Sequence, residues 1–243
     1  MKAATGVQLI VCDMAGTTVR DEHEVESCFT RAAMQTDLQM TDEEILAVQG
    51  WAKRHVFEVF WERQVGNRGE QWRSQVDNSY NLFRTILEDH YNNSPIRPTD
   101  GCLELFSFLK EKNIPVALTT GFYRKVTNII LEKLGWLREL NEKYTGSKHT
   151  PIQASIASDE VEQGRPQPDM IFKAMQLLGI SEAGNVINIG DTPSDIQSGK
   201  NAGCRYSYCL TNGTHSAAQL SPHAPDNMFS SMYEFKSWLK ENL

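Results

Sequence analysis

Five short apolar runs constrain this 243-residue chain more than any other feature, because most of them alternate with segments of helical period. Residues 7–12, 116–120, 154–157, 186–189 and 206–210 are rich in β-formers and end at polar or turn-forming residues, the pattern of buried strands. Residues 103–112, 124–134, 169–178 and 194–202 carry helical spacing between the later runs. Strand, helix and strand in succession require crossover connections, so the expected fold is α/β, an open parallel sheet with helices on its faces. Residues 21–91 break the alternation. They contain no convincing strand, start one helix at Thr41-Asp-Glu-Glu44, and place Val56, Phe57, Phe60 and Trp61 at helical spacing. A cluster of turn formers at residues 92–101 then returns the chain to the sheet. The expected organisation is a core domain of residues 1–20 and 94–243, with an all-helical module of residues 21–93 inserted into it.

Composition excludes several classes of partner. With 40% hydrophobic and 23% charged residues the chain is an ordinary globular one, and 24 basic against 31 acidic side chains give a net charge of -7. That balance argues against nucleic acid or an anionic membrane surface as the main partner. No run of about 20 apolar residues is present, the mean hydropathy is -0.44, and residues 1–6 lack the apolar stretch of a targeting peptide. The five cysteines form no CxxC pair and no zinc spacing, which reads as reduced thiols in a cytoplasmic protein.

In open α/β sheets, ligands bind beyond the carboxyl ends of the strands, beside the point where strand order reverses. Three expected strands end there in chemically active residues: Asp13, Thr120, and Asp191 with Asp195 four positions later. Three carboxylates at one sheet edge repel one another unless a cation lies between them, and an all-oxygen set suits Mg²⁺. Taken singly, Asp13 reads equally well as a turn residue and Asp195 as a helix cap. The hydroxyls and amides of Gly16-Thr17-Thr18 can hold phosphate oxygens, and Arg165 in Gly164-Arg-Pro-Gln-Pro-Asp169 can neutralise a transferring phosphoryl group.

In order along the chain, Asp13, Thr120, Arg165, and Asp191 with Asp195 resemble the four motifs of the haloacid dehalogenase superfamily. The resemblance implies a Rossmann-like core, a nucleophilic Asp13, and Mg²⁺ held by Asp13, the Ala15 carbonyl, Asp191 and Asp195. It also implies phosphoryl contacts from Thr120 and Arg165, and a mobile helical cap that closes over the substrate and excludes water. Phosphatases of that superfamily carry a second Asp, the general acid, two positions after the nucleophile. Here that position is Ala15.

Asp13-Met-Ala-Gly-Thr-Thr18 resembles the nucleophile loop of phosphonoacetaldehyde hydrolases (phosphonatases), which also have Ala in place of the acid. Cleaving a carbon–phosphorus bond leaves a carbanion, for which that family provides an electron sink: a cap lysine in a Schiff base with the substrate aldehyde. Gly50-Trp-Ala-Lys53 resembles the cap signature, with Lys53 40 positions after Asp13. An amine at neutral pH requires a pKa about three units below its reference value, roughly 4 kcal/mol. Burial, or neighbouring Arg54 or His55, can supply that; the plainer reading of Lys53 is a solvated helix lysine. Thr119-Thr-Gly-Phe122 resembles the second motif, with Gly16, Thr17, Gly50 and Gly121 as implied substrate-binding positions. Phe122 and His55 depart from the family, which has a hydroxyl-bearing aromatic at the first position and a cap histidine three places after the lysine.

The implied activity is Mg²⁺-dependent hydrolysis of a phosphonoaldehyde, phosphonoacetaldehyde or a close analogue, in the breakdown of aminoethylphosphonate-type compounds. The alternatives are a phosphomonoester phosphatase, a cofactor-free 2-haloacid dehalogenase, and a non-enzymatic module binding a phosphorylated ligand. The expected partner is a small phosphonate or phosphate, and relatives of this kind include dimers through cap helices. Trp51, Phe57, Phe60, Trp61 and Trp72 read as cap packing. His23, His90, His149, His215 and His223 read as surface groups, Cys12 as core, Cys28 as a residue that could face the cleft, and residues 139–150 as a flexible surface connection.

Overall fold

The computed structural model describes residues 6–243. Residues 1–5, where the sequence reading expected no targeting stretch and began the core domain, lie outside the described residues. The first strand, β1 (Leu9–Asp13), leads into four consecutive helices, α1 (Glu24–Gln35), α2 (Asp42–Ala47), α3 (Lys53–Val65) and α4 (Glu70–Asn93). Alternation follows: α5 (Cys102–Glu111), β2 (Val116–Thr120), α6 (Arg124–Lys133), β3 (Ala154–Ala157), α7 (Asp169–Leu178), β4 (Val186–Gly190), α8 (Pro193–Ala202) and β5 (Tyr206–Leu210). The chain closes with α9 (Ala217–Leu220), β6 (Asn227–Phe229) and α10 (Met232–Asn242).

All six strands are parallel, in the order β3-β2-β1-β4-β5-β6, a Rossmann-like sheet. Its strands are continuous apolar runs because both faces are covered by helices. Ile10 and Cys12 of β1 face one hydrophobic cluster while Leu9 and Val11 face the other, the two-residue alternation of a strand. Every backbone crossover returns the chain to the same end of the sheet, so the carboxyl ends of β1, β2 and β4 are neighbours. Asp13 pairs in register with Thr119, and Cys12 with Ile189. Strand order reverses around β1, which places the binding crevice beside Asp13.

In the helical segment, Thr41 and Glu44 form the capping box expected of them: Glu44 N–H donates to Thr41 Oγ1 at 3.2 Å, and Thr41 N–H to Glu44 Oε2 at 2.9 Å. Phe29, Phe57 and Phe83 make its aromatic centre, with the rings of Phe29 and Phe83 stacked at 4.4 Å. Phe57, Phe60 and Trp61 are buried and Trp51 and Trp72 half-buried, all in packing contacts.

Three sequence readings need correction. β6 and α10 were not foreseen: a three-residue strand is too short to register as a pattern, and tertiary packing of Tyr208 against Phe229, Phe235 and Trp238 holds it. Residues 139–150 are tethered rather than loose, because the Arg124 guanidinium stacks 3.6 Å from the Tyr144 ring centroid and Ser155 N–H donates to the Tyr144 carbonyl. His215 is buried, not a surface group, beside the Leu46 carbonyl of α2, a neighbour from across the chain that no local pattern announces. All five cysteines are free, and Cys28 is buried. Among the described residues no helix is long and apolar enough to cross a membrane.

Phe83 is fully buried between Phe29 and Phe57. Phe83→Ala should lower the free energy of unfolding in urea by about 3–5 kcal/mol; a loss below 1 kcal/mol would mean that the helical segment repacks without its centre.

Candidate active site

Asp13 closes β1, Thr120 closes β2, and Asp191 follows β4 directly, so the sheet register delivers all three to one edge. Asp195 arrives by a local rule. Thr192 is the N-cap of α8, Pro193 opens the helix, and Asp195 is the third residue of its first turn, where Oδ2 accepts Thr192 N–H at 3.1 Å and Thr192 Oγ1–H at 2.6 Å. Asp195 is thus a helix cap and a site residue at once. Carboxylate oxygens of Asp13, Asp191 and Asp195 lie within 4.8 Å of one another, and all three side chains are buried.

One guanidinium faces them. Arg165, itself buried, places Nη1 2.5 Å from Asp13 Oδ1 and 2.8 Å from Asp195 Oδ1, while Nη2 donates to Thr119 Oγ1 at 2.6 Å. Burial raises the Asp13 carboxyl; Arg165 opposes the rise and the two other carboxylates add to it. Burial and Asp195 push Asp191 up to about 6, although N–H and O–H donors from Thr214 and Thr17 offset part of the rise. Three buried carboxylates against one guanidinium leave negative charge uncompensated, and a donor set made wholly of oxygens fits a hard divalent cation of the Mg²⁺ type. Ala15 lines the same cavity, with its carbonyl as the remaining candidate ligand.

Lys53 begins α3, buried, in that cavity. The cavity is bordered from the sheet by Asp13, Thr120 and Gly121, and from the helical segment by Gln49, Gly50 and Lys53. Nζ lies 5.3 Å from the Phe122 ring centroid and 5.5 Å from that of Phe29, and among the described residues no carboxylate forms a salt bridge with it. Burial lowers its pKa to about 8; Asp13 and Asp21 resist the shift and Arg165 assists it. The assisting cation is therefore Arg165 rather than Arg54 or His55. Arg54 turns outward to Glu58 and Asp77, and His55 is half exposed beside Glu58.

Gly50 explains how the lysine gets there. At φ +82° it packs against α8, where a Cβ would fall 2.3 Å from Ser194 Oγ; Ser194 Oγ–H in turn donates to the Gln49 carbonyl at 3.2 Å. A Cβ on Gly121 would fall 2.5 Å from the Trp51 carbonyl oxygen, so the two backbones touch. Thr120 Oγ1 accepts Phe122 N–H at 3.1 Å, which leaves its own proton to donate.

Gly16 and Thr17 have a different task from the phosphate contact expected of them. Gly16 N–H is bonded to the Val19 carbonyl, Thr17 N–H to the Met14 carbonyl, and Thr17 Oγ1 donates to Asp191 Oδ1 at 3.0 Å. Thr18 Oγ1 donates to the Asp13 carbonyl at 2.8 Å. These hydroxyls orient the loop and its carboxylates, and the adjacent polar partners were invisible without the tertiary contacts.

Residues 7–203 match the model of the haloacid dehalogenase-like hydrolases. The chain belongs to the haloacid dehalogenase-like hydrolase family. Within that family it is similar to a phosphonoacetaldehyde hydrolase of Bacillus cereus (strain AH187), 27% identical over 215 residues, covering 81% of this chain and 73% of the relative. A phosphonoacetaldehyde hydrolase of Latilactobacillus sakei (strain 23K) is 27% identical over 209 residues, 82% of this chain and 74% of the relative. A solved structure of a phosphonoacetaldehyde hydrolase-like protein from Oleispira antarctica has the same fold, with a TM-score of 0.79 at 18% identity, covering 99% of this chain and 94% of that one.

Asp21, Gln49 and Thr214 also line the cavity of this hydrolase and escaped the sequence reading. Asp21 opens the helical segment of the sequence reading, where no motif marks it as a site residue. Thr214 contributes its backbone N–H to Asp191 Oδ2 at 2.6 Å, a role that carries no side-chain signature.

The depressed pKa of Lys53 has a consequence for stability. The unfolded chain holds the lysine proton up to pH 10.5 and the folded one only to about 8, so between those values the unfolded state binds more protons and stability rises with pH. Below that window the buried ammonium is a net cost. Lys53→Met should therefore raise the melting temperature of the metal-free protein near neutral pH, with the gain shrinking through the alkaline window; a variant that melts lower at every pH contradicts this.

Proposed function

We propose that this hydrolase cleaves the carbon–phosphorus bond of a phosphonoaldehyde, phosphonoacetaldehyde or a close analogue, through a Lys53 Schiff base and an aspartyl phosphate on Asp13. The observation that carries the reading is the position of Lys53. A lysine buried on the helical segment, unpaired with any carboxylate and largely deprotonated one unit above its pKa of about 8, shares one small cavity with the nucleophile candidate. The acid that an alkoxide leaving group needs is absent at Ala15, whereas an enamine leaving group needs none there. Similarity to phosphonoacetaldehyde hydrolases supports the same choice.

In this mechanism the Lys53 amine adds to the aldehyde carbon, and loss of water gives an iminium conjugated with the carbon–phosphorus bond. Asp13 attacks phosphorus in line, the bonding pair collapses into an enamine, and the phosphoryl group passes to the carboxylate. Thr120 and Arg165 hold the phosphoryl oxygens. Asp13, the Ala15 carbonyl and Asp191 would hold Mg²⁺, with Asp195 beside them; bound there, it supplies positive charge that offsets the charge of the phosphoryl group. Protonation and hydrolysis of the enamine release the aldehyde, and water attack on the aspartyl phosphate releases phosphate. The close backbone contact of Gly50 and Gly121, which both line the cavity, would limit access of bulk water to the imine.

Incubation with phosphonoacetaldehyde and borohydride should leave a reduced adduct on Lys53, located by mass spectrometry and missing in Lys53→Arg. Fast hydrolysis of simple phosphate esters with no adduct would identify a phosphomonoesterase instead. Chelation with EDTA should lower turnover by at least about 10²-fold, several kcal/mol of lost charge stabilisation, with recovery on added Mg²⁺. Turnover of a 2-haloacid that EDTA leaves untouched would favour the cofactor-free dehalogenase.

A further inference from the structure

Imine chemistry needs an acid as well as an amine. The carbinolamine formed when an amine adds to an aldehyde expels its hydroxyl only if that oxygen is protonated as the bond breaks. Three side chains lining the cavity carry ionisable acids or bases of suitable strength: Asp13, Lys53 and Asp21. Asp13 is paired with Arg165 and attacks phosphorus, and Lys53 is the amine itself. The remaining hydroxyl groups are threonines, too weakly acidic for the task.

Asp21 is built for it. It lies in the connection between β1 and α1, partly buried, with Oδ1 fixed by the Glu24 N–H at 3.0 Å. Among the described residues no cation forms a salt bridge with it; the adjacent Arg20 reaches Asp100 Oδ1 at 3.1 Å instead. The charged and titratable groups around it are Glu24 and Cys28 of α1, Lys53 of α3, Tyr91 of α4 and Asp191 after β4. Burial and the neighbouring Glu24 carboxylate hold its pKa well above the ordinary carboxylate range, which favours the protonated carboxyl beside the Lys53 amine in the same cavity.

We infer that Asp21 is the proton donor and acceptor on the carbon side of the reaction, the carboxyl that the chain supplies from its hinge segment while Ala15 stands beside the nucleophile. The role rests on the imine reading above. Asp21 gives its proton to the carbinolamine hydroxyl, the carbon–oxygen bond breaks, water leaves, and an iminium faces the new Asp21 carboxylate. After the carbon–phosphorus bond has broken, the enamine carbon takes a proton from solvent water and water adds to the resulting iminium carbon. Asp21 takes the proton released by that addition, which restores its carboxyl, and the carbinolamine then breaks its carbon–nitrogen bond, the hydroxyl proton passing to nitrogen, to release the aldehyde and the Lys53 amine.

The test is the rate of Lys53 trapping by phosphonoacetaldehyde and borohydride in the Mg²⁺-loaded full-length protein, measured against pH. Asp21→Asn should slow trapping on the order of 10²-fold and flatten the limb of the pH profile that falls as the acid loses its proton, and Asp21→Glu should recover most of the rate. Trapping of Asp21→Asn at the wild-type rate, with an unchanged melting temperature, overturns the assignment and leaves the imine reading standing. If the wild type itself forms no adduct, the imine reading fails and this role with it. If Asp21→Asn does not fold, the pH profile of Asp21→Glu decides: a displaced descending limb supports the assignment and an undisplaced one overturns it.

Discussion

Burial of charge at the carboxyl edge of the sheet is the constraint on which the rest of the molecule depends. Asp13, Asp191 and Asp195 are gathered within 4.8 Å and removed from water, where like charges about 4 Å apart repel by about 4 kcal/mol at an effective dielectric constant near 20. Such an arrangement persists only because Arg165 bridges two of the three, and because Thr17, Thr192 and Thr214 donate hydrogen bonds to Asp191 and Asp195. The fold supplies the rigidity for this: each carboxylate is anchored to a strand end or a helix first turn, so none can relax away from the others. A preorganised negative cluster with room for a hard cation is what phosphoryl transfer requires, since the chemistry is mostly positioning and charge compensation.

The helical segment contributes the opposite effect. It removes a single ammonium group from water and offers it no carboxylate in return. The same cavity thus raises the acids and lowers the base, through one physical cause, desolvation, acting with opposite sign on groups of opposite charge. Separate proton-holding roles become available at one pH as a result. Close backbone contact makes the desolvation possible: only hydrogen at Gly50 and Gly121 lets the loop before α3 settle between β2 and α8. Docking of the segment and the state of Lys53 are therefore linked, because any side chain that lifts the loop also readmits water to the amine.

Much of this was legible in the chain. Strand ends at Asp13 and Thr120, the capping pattern Thr192-Pro-Ser-Asp195 and the helix start at Thr41 all follow rules that operate within a few residues, and they appear where local chemistry places them. Readings that depended on partners far along the chain fared worse. His215 looked like a surface histidine because its neighbours along the chain are polar, but it is buried, with Leu46 of α2 beside it. Thr17 looked free to meet phosphate, but its hydroxyl is engaged by Asp191, 174 positions away. Asp21 opened the helical segment without any local mark of a site residue, and β6 was too short to see.

By itself, the sequence determined the alternating parallel sheet, the inserted helices and the identity of the residues at each strand end, because hydrophobic period and capping are short-range properties of the polymer. The tertiary structure alone decided which side chains share a solvent-poor space. Whether Lys53 is a solvated helix residue or a buried group sharing a cavity with Asp13 depends on how one segment seats on another, and so on contacts between residues with no proximity in the chain. Ionisation follows that environment rather than residue type, which is why the acids and bases of this site could be named from the sequence but their strengths could not.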